Sequence, residues 1–301
     1  MKVSIRILET VEEMLLVEEL QRAVWPGSEL DVVPGHLLLT AAHNGGLVIG
    51  AFNTQAESQP PSLIGFVFGF PGLYFTPDGP RPKHCSHMLG VDARYRDQGI
   101  GFLLKRAQWQ MVRHQGLDRI TWTYDPLLSR NAYLNITKLG AVSNTYIQDV
   151  YGVMRDSLNA GLPSDRLQVD WWVNSPRVGR RLSRRARLPL NLEDYSIAGV
   201  EIINPAQINE DNLPVPTDEL HPSLVAMRQG EEPAAMLLLE VPAEFQALRA
   251  AHTSLALHWR LHTRSILELL FEGGYLITDF VYLPGDPGRG FYVLSHGEST
   301  L

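Results

Sequence analysis

Cysteine is almost absent: Cys85 stands alone in 301 residues, so no disulfide can close within the chain and no cysteine-based zinc site can form. That usage fits a reducing compartment, and a cytoplasmic protein is the expectation. No apolar run approaches the roughly 20 residues that a membrane span needs. Glu9, Glu12 and Glu13 also interrupt the apolar pattern that a secretory leader would require. A basic excess is missing too. The 26 lysines and arginines are outnumbered by 33 acids, for a formal net charge of −7, which argues against a general nucleic-acid binder. The local exception is RVGRRLSRRARL (177–188), with six arginines and no acid; it reads as a solvated linker face, with a surface for acidic partners as the second reading.

What is present suits a globular chain. With 45% hydrophobic and 20% charged residues a core can be buried, and the length is comfortable for two domains. VSIRIL (3–8) reads as a strand, and Thr10 three residues before Glu13 has capping-box spacing ahead of a helix ending at Trp25-Pro26. A short helix follows Pro34. Strand-like runs cover 46–53 and 62–70, residues 71–83 are rich in Pro and Gly and read as a loop, and CSHMLGVD (85–92) reads as a strand. After Gly101, Leu103, Leu104, Ala107 and Met111 recur at helical spacing up to a Gly116 cap.

RITWTY (119–124) alternates as a strand stopped by Asp125-Pro126, and a helix runs from Ser129 to Lys138 before Gly140. Strands near 142–150 and 166–173 close a mixed α/β layout around one sheet. Trp171 is expected in the core with Val169 and Val173, and Trp172 on the other side of its strand. The expected division is a first domain over 1–176, an Arg-rich linker over 177–194 and a second α/β domain over 195–301. That second part reads as strands at SIAGVEII, SLVAM and AAMLLLEV, a helical region over 243–272, then YLITDFVYL and GFYVLS. SRNAYLNITKLGAV (129–142) and TRSILELLFEGGYL (263–276) align without gaps, sharing a hydroxyl-Arg start and a Gly before the next strand. A degenerate structural repeat and two unrelated capped helices both account for that echo.

The stretch LGVDARYRDQGIGFLLKRAQWQ (89–110) carries the chemistry. Arg96, Gly99 and Gly101 form R-x-x-G-x-G between a strand and a helix whose first turns hold no acid. The first N–H groups of such a helix have no intrahelical acceptor, and its dipole puts partial positive charge there. Glycines at 99 and 101 let an anion approach those amides, and Arg96 adds charge-assisted hydrogen bonds. The dinucleotide fingerprint fails because Leu104 stands at its third glycine, and the Walker pattern does not fit.

At these residues the chain resembles motif A of the GNAT superfamily of acyl-CoA-dependent N-acyltransferases. SRNAYLNITKLGA is similar to the superfamily's later N-x-x-x-x-x-x-K-x-G-F helix, with Ala141 in place of the aromatic. SHMLGVDARYRDQGIG, TWTYDPLLSRNAYLNITKLGA and DRLQVDWWV resemble a poorly characterised GNAT branch with a C-terminal extension.

The resemblance implies a GNAT fold over residues 1 to about 175 and an acyl-CoA co-substrate, most simply acetyl-CoA. It implies that the Arg96 side chain and the amides of Asp97, Gln98, Gly99, Ile100 and Gly101 hold the pyrophosphate, that the strand at Leu89, Gly90 and Val91 pairs with the pantetheine arm, and that Asn131 contacts the same arm. The primary amine of a small molecule would then attack the thioester directly. Many members place a tyrosine acid two residues before the Lys of the later motif, where this chain has Ile136. Tyr133 and Tyr124 are the substitutes, each with a plain packing reading. His87 is the candidate base, and Asp125 a second one or a holder of the substrate ammonium; the alternatives are a core histidine and an ordinary Asp-Pro turn. Cys85 lacks a paired base for a nucleophilic role. His258 and His262 stand four apart without the acidic partner of a zinc helix, and no metal is expected. The second half has no glycine cradle and is expected to shape an acceptor pocket or a homodimer interface. A non-catalytic acyl-CoA-binding or regulatory module, a succinyl-type enzyme acting on amino acids and a lysine-directed protein acetyltransferase are the competing readings.

Overall fold

The structure, a computed structural model, describes residues 2–27, 29–54, 62–152, 161–183 and 188–297. The chain is mixed α/β, as its pattern of elements implied, and gathers into two compact units: residues 2–122 with 172–174, and residues 123–152, 161–171 and 175–297.

In chain order the first unit holds β1 (Val3–Ile7), α1 (Val11–Val24), α2 (Gly35–His43), β2 (Leu47–Asn53), β3 (Ser62–Thr76), β4 (Gly79–Val91), α3 (Ile100–His114) and the start of β5 (Arg119–Tyr124). Strands β1 to β4 pair antiparallel in sequence order and β5 joins β4 in parallel, so α3 is the crossover of a β-α-β unit. The capping box at α1 is present: the Thr10 hydroxyl accepts from Glu13 N at 3.3 Å and the Glu13 carboxylate from Thr10 N at 3.1 Å. From α1, Met14, Val17, Leu20 and Val24 pack with Leu38 of α2 onto Val48, Phe52, Phe66 and Phe68. Side chains alternate along β3, so Phe66 faces α1 while Gly65 lies under Ile100 and Leu104 of α3, where an added Cβ would come within 3.2 Å of both.

Two expectations change in this unit. Residues 71–83 are strand, not loop: β3 and β4 continue as a two-stranded ribbon beyond Gly69, where β2 stops pairing. Pro71, Pro80 and Pro82 fall in the register pairs Pro71–His84, Phe75–Pro80 and Leu73–Pro82. These belong to one alternate set, whose backbone groups point away from the partner strand. A proline, having no N–H, costs the ribbon nothing there. On α3 the buried stripe is Ile100, Leu104, Lys105, Gln108 and Val112, not the Leu103–Leu104–Ala107–Met111 set. Polar residues occupy two positions of the inward face, which hid its true register.

The second unit continues with α4 (Ser129–Ala132) and a π-helical turn (Tyr133–Lys138), then β6 (Val142–Ile147), β7 (Arg166–Trp172), α5 (Pro176–Leu182), α6 (Leu192–Ile197), β8 (Glu201–Ile202), β9 (Gln207–Ile208), β10 (Pro214–Val215) and α7 (Pro222–Arg228). It ends with β11 (Met236–Pro242), α8 (Phe245–Ala251), α9 (Thr253–Glu272), β12 (Tyr275–Leu283) and β13 (Arg289–His296). The sheet order here is β7-β6-β12-β13-β11-β8, with β9 and β10 forming a separate pair. Trp171 is fully buried and its indole N–H donates to Leu139 O at 2.8 Å, a core residue as expected.

The sequence echo acquires a geometric meaning. The offset that aligns Ser129 with Thr263 carries Ser143 onto Ile277, and Ser143 and Ile277 are the register pair joining β6 to β12. Equivalent residues facing each other across an antiparallel pair mark a local pseudo-twofold axis. Hairpin β6–β7 on one side matches β12–β13 on the other, and the β8–α7–β11 crossover repeats the connectivity of β4–α3–β5 with a much shorter helix.

The 177–194 stretch is not a plain solvated linker. Arg177 on α5 is buried and donates to Gly140 O at 3.0 Å and to Thr278 O, and Arg181 pairs with Asp279; residues 184–187 lie outside the described residues. SIAGVEII begins with the last two residues of helix α6, which Asn191 and Asp194 open with a reciprocal cap, and only its Glu201–Ile202 is strand. SLVAM is helix α7, with Pro222 at its first position and the His221 ring accepting from Ser223 N. The helical region 243–272 is broken into α8 and α9.

Gly69 tests the packing under α3, since a Cβ there would sit 2.6 Å from Cys85 O and clash with the His84 ring. Gly69→Ala is expected to cost about 1–3 kcal/mol, read as a lower midpoint in denaturant unfolding.

Candidate active site

β4 and β5 are in register at His84–Ile120 and Cys85–Thr121. Beyond that point β4 runs on to Val91 against β3 alone. The two central strands therefore part, and one edge of β4 is left without a strand partner over its last residues. Within this stretch the pairing with β3 shifts between Phe68–Met88 and Gly69–Ser86, so His87 is the extra residue of a β-bulge. Alternation past the bulge decides which groups face the gap. Asp92 N donates to Ile64 O at 3.0 Å, and Arg96 Nε donates to Val91 O at 3.3 Å from the other side. Leu89 and Val91 accordingly turn their N–H and C=O toward the gap, while those of Gly90 turn to Phe66. Gly90 serves by its missing side chain: a Cβ there would approach the rings of Phe66 and Trp25 to 2.9 and 3.1 Å.

The gap opens directly onto the loop at 92–99. Asp92 caps its first turn, accepting from Arg94 N at 2.9 Å, and also holds the Arg94 guanidinium at 2.7 Å. Arg94, Arg96, Asp97, Gln98 and Gly99 are all exposed. The chain enters α3 through two left-handed residues, Asp97 at φ 63° and Gly99 at φ 77°. Gly99 caps the helix with no side chain and no acid follows in the first turn. The first bond inside the helix is Leu103 N to Gly99 O at 3.1 Å. The amides of Ile100, Gly101 and Phe102 precede it and have no intrahelical acceptor. A Cβ at Gly99 would meet no protein atom within 4 Å, so its positive φ and the open space before the amides are what the glycine provides. These are backbone donors at a helix N-terminus, a form that an anion binds.

His87 leans on Phe68 and Phe70, with ring centroids 6.0 and 5.9 Å away. Loss of hydration on this apolar surface lowers its pKa below the ordinary 6.5, so the imidazole is neutral near pH 7 and able to accept a proton.

Other candidates are committed elsewhere. Both oxygens of buried Asp125 receive the Arg260 guanidinium, at 2.8 and 2.6 Å, and Oδ1 also accepts from Leu127 N at 2.9 Å. Tyr124 is buried and its hydroxyl donates to Tyr292 Oη at 3.2 Å, which in turn donates to Pro126 O at 2.6 Å. Burial raises the Tyr124 pKa above 10.0. Both groups are engaged within the second unit, and the buried pairing of Asp125 with Arg260 goes beyond an ordinary Asp-Pro turn. Ile136 is fully buried. Asn131 and Tyr133 are half-buried, with the Lys138 ammonium 5.4 Å from the Tyr133 ring. His258 pairs with Asp218 at 2.8 Å and His262 contacts Asn204 at 3.0 Å; among the described residues no cluster able to hold a metal occurs. No helix among them is long and apolar enough to cross a membrane.

Sequence reasoning overlooked a buried polar cluster beneath the gap. Lys105 Nζ donates to Ser86 Oγ at 2.8 Å and to Gln108 Oε1 at 3.2 Å, and lies 3.5 Å from the centroid of the Trp122 ring. Gln108 Nε2 sits 3.1 Å from His84 Nε2, and His84 Nδ1 is buried without a partner. The i, i+3 and i, i+4 spacing of Leu104, Lys105, Gln108 and Val112 was the available signal.

No family model matches the chain, and no curated protein matches it. Solved structures do. The chain is similar to the acetyltransferase of the GNAT family from Streptococcus pneumoniae (15% identity, 56% of this chain and 98% of that one, TM-score 0.44). It is also similar to Arabidopsis thaliana NAA60, solved in complex with acetyl-CoA (13%, 58% and 100%, TM-score 0.45). A third is the ribosomal-protein-S18-alanine N-acetyltransferase from Escherichia coli (13%, 57% and 94%, TM-score 0.41). Acetyltransferases are what over half of this chain is similar to. At such identities the role of each side chain is read from this chain's own geometry.

Two outcomes follow. Asp125→Asn strands a buried guanidinium and is expected to cost about 3–5 kcal/mol of stability, measured by denaturant unfolding; a loss of activity at unchanged stability would instead make Asp125 a base. His84 is held neutral by burial, its pKa pushed down to about 3 from 6.5. The unfolded chain takes up that proton below pH 6.5 and the folded chain refuses it until about pH 3, so stability is complete above the window and drains as pH falls through it. Denaturant midpoints at pH 7 and pH 5 check this, and His84→Gln is expected to flatten the slope.

Proposed function

We propose that the chain is an N-acyltransferase of the GNAT type, moving an acyl group, acetyl in the simplest case, from acyl-CoA to the primary amine of a small molecule. The observation that carries the reading is the parting of β4 from β5 directly ahead of an anion cradle. One end of that feature offers strand groups at Leu89 and Val91 that face no strand among the described residues, the Val91 carbonyl accepting from Arg96, and the other offers the amides of Ile100 and Gly101. A ligand that suits both is amide-bearing along its length and doubly negative at its end. The pantetheine arm and pyrophosphate of CoA have that form.

The residues fit the roles as follows. Arg96 and the amides of 97–101 hold the diphosphate. Leu89 and Val91 pair with the arm, and an N–H of this edge stabilises the oxygen that becomes negative as the amine attacks, worth about 3–4 kcal/mol in comparable sites. His87, on the bulge and neutral near pH 7, takes a proton from the ammonium. Asn131 and Tyr133, both half-buried, are assigned no step. Asp125 and Tyr124 are withdrawn from the chemistry. We read residues 1–176 as the part that carries the acyl transfer, and the lone Cys85 as suited to the cytoplasm.

A non-catalytic acyl-CoA-binding module is the second reading, favoured by Ile136 at the usual acid position and by the occupied state of Asp125 and Tyr124. Titration calorimetry with CoA, followed by thiol release from acetyl-CoA over a panel of amines, separates the two. Turnover with at least one amine is expected; CoA binding with no turnover on any donor or acceptor selects the module. Replacing Gly99 and Gly101 together by Val is expected to weaken CoA binding at least about thirtyfold, or about 2 kcal/mol, with the fold retained.

A further inference from the structure

We propose that Lys105, acting through the Ser86 hydroxyl, relays the proton that passes from the attacking nitrogen to the departing sulfur. The inference rests on the acyl-transfer reading above and fills the place left by the absent tyrosine at Ile136.

Lys105 sits in the fourth-to-eighth residue span of α3, the helix whose entrance forms the cradle, and its side chain is buried against β4 and β5. Its amine end meets Ser86 Oγ, Gln108 Oε1 and the Trp122 ring, the Ser86 hydroxyl in turn donates to Gln108 Oε1 at 3.0 Å, and among the described residues no carboxylate contacts it. Among the described residues its titratable neighbours come from β4: His84, itself held neutral, and Cys85, whose thiol burial pushes further toward the protonated form. A cation surrounded only by neutral groups is poorly solvated. Burial accordingly drives the Lys105 pKa well below 10.5, and a neutral amine is the form that can accept a proton.

Ser86 is the residue next to the last β4–β5 pair, at the apex of the gap, and precedes the bulged His87. Pairing with Gly69 puts the Ser86 side chain on the α3 face, whereas His87 contacts Phe68 and Phe70 on the α1 face. The two proton-accepting groups therefore flank one strand edge from opposite sides. The balance needs two. An ammonium nitrogen carries three hydrogens and the amide product keeps one. His87 takes the first proton, which ends in water. As the C–N bond completes and the C–S bond breaks, the second passes through Ser86 Oγ to the Lys105 amine and returns by the same path to the thiolate, leaving CoA thiol and a neutral lysine. Lys105 touches no reacting atom, so it is a positioning residue that works through Ser86.

The test needs no variant for its first arm. Selective isotope labelling of lysine side chains in the full chain, read by NMR across a pH titration, is expected to show one amine titrating well below the other lysines, assigned to Lys105 by its disappearance in Lys105→Met. Kinetics form the second arm. Lys105→Met and Ser86→Ala are expected to bind CoA within threefold of the parent and to lose about a hundredfold in acyl transfer at pH 7. The rate of the parent falls on acidification as Lys105 becomes charged, and Lys105→Met loses that limb; the conservative Lys105→Arg, charged throughout, does not restore the rate. A lysine that stays charged to pH 9, or a Ser86→Ala variant with the parent's rate and pH profile, overturns the relay. A parent that binds CoA but never releases thiol removes the acyl-transfer reading and the relay with it. A parent that turns over while both variants match it removes the relay alone.

Discussion

The parting of two neighbouring strands is the constraint on which everything else in the candidate site depends. A sheet is stable because each backbone donor and acceptor finds a partner, and leaving a central edge open costs the bonds that are not made. Here β5 leaves β4 after Thr121 while β3 stays paired with β4 to Val91. The open stretch is held in shape from three directions. The bulge at His87 resets the alternation, Gly90 admits the Phe66 and Trp25 rings on one face, and Ile100 and Leu104 cover Gly65 on the other. An edge without a strand partner among the described residues is a strand-pairing surface, and it leads without interruption to the entrance of α3.

The same region concentrates polar groups where the rest of the first unit is apolar. His84, Ser86, Lys105 and Gln108 are all buried, and His84 Nδ1 has no partner. Burying a cation without a counter-charge is unfavourable, and burial lowers the Lys105 pKa well below 10.5. Residues held this way against local stability are the pattern expected at a working site. In the second unit, by contrast, three buried carboxylates are matched by arginines: Asp125 with Arg260, Asp165 with Arg264 and Glu240 with Arg289. Those pairs fix packing and leave little free for chemistry.

Local features were legible in the sequence and distant ones were not. The Thr10 capping box, the strand ahead of Arg96 and the glycine entrance to α3 each depend on residues within a few positions of one another, and each is present. The echo between 129–142 and 263–276 was faint in identities yet corresponds to an aligned pair in the sheet. The bulge at His87 was hidden because a register shift exists only relative to β3. Arg260, the partner of Asp125, lies 135 positions away. Lys105 and Gln108 masked the inward stripe of α3, since an apolar pattern read without its polar members rotates by one residue. The prolines of 71–83 misled because their permitted place in a ribbon depends on which alternate set they join.

The account turns on which amides meet the ligand, and backbone hydrogen exchange with and without CoA measures that directly. Leu89, Val91, Ile100 and Gly101 are predicted to gain protection on binding, while Gly90, already bonded to β3, stays unchanged. CoA bound at saturation with Leu89 and Val91 exchanging as fast as before would contradict the central claim.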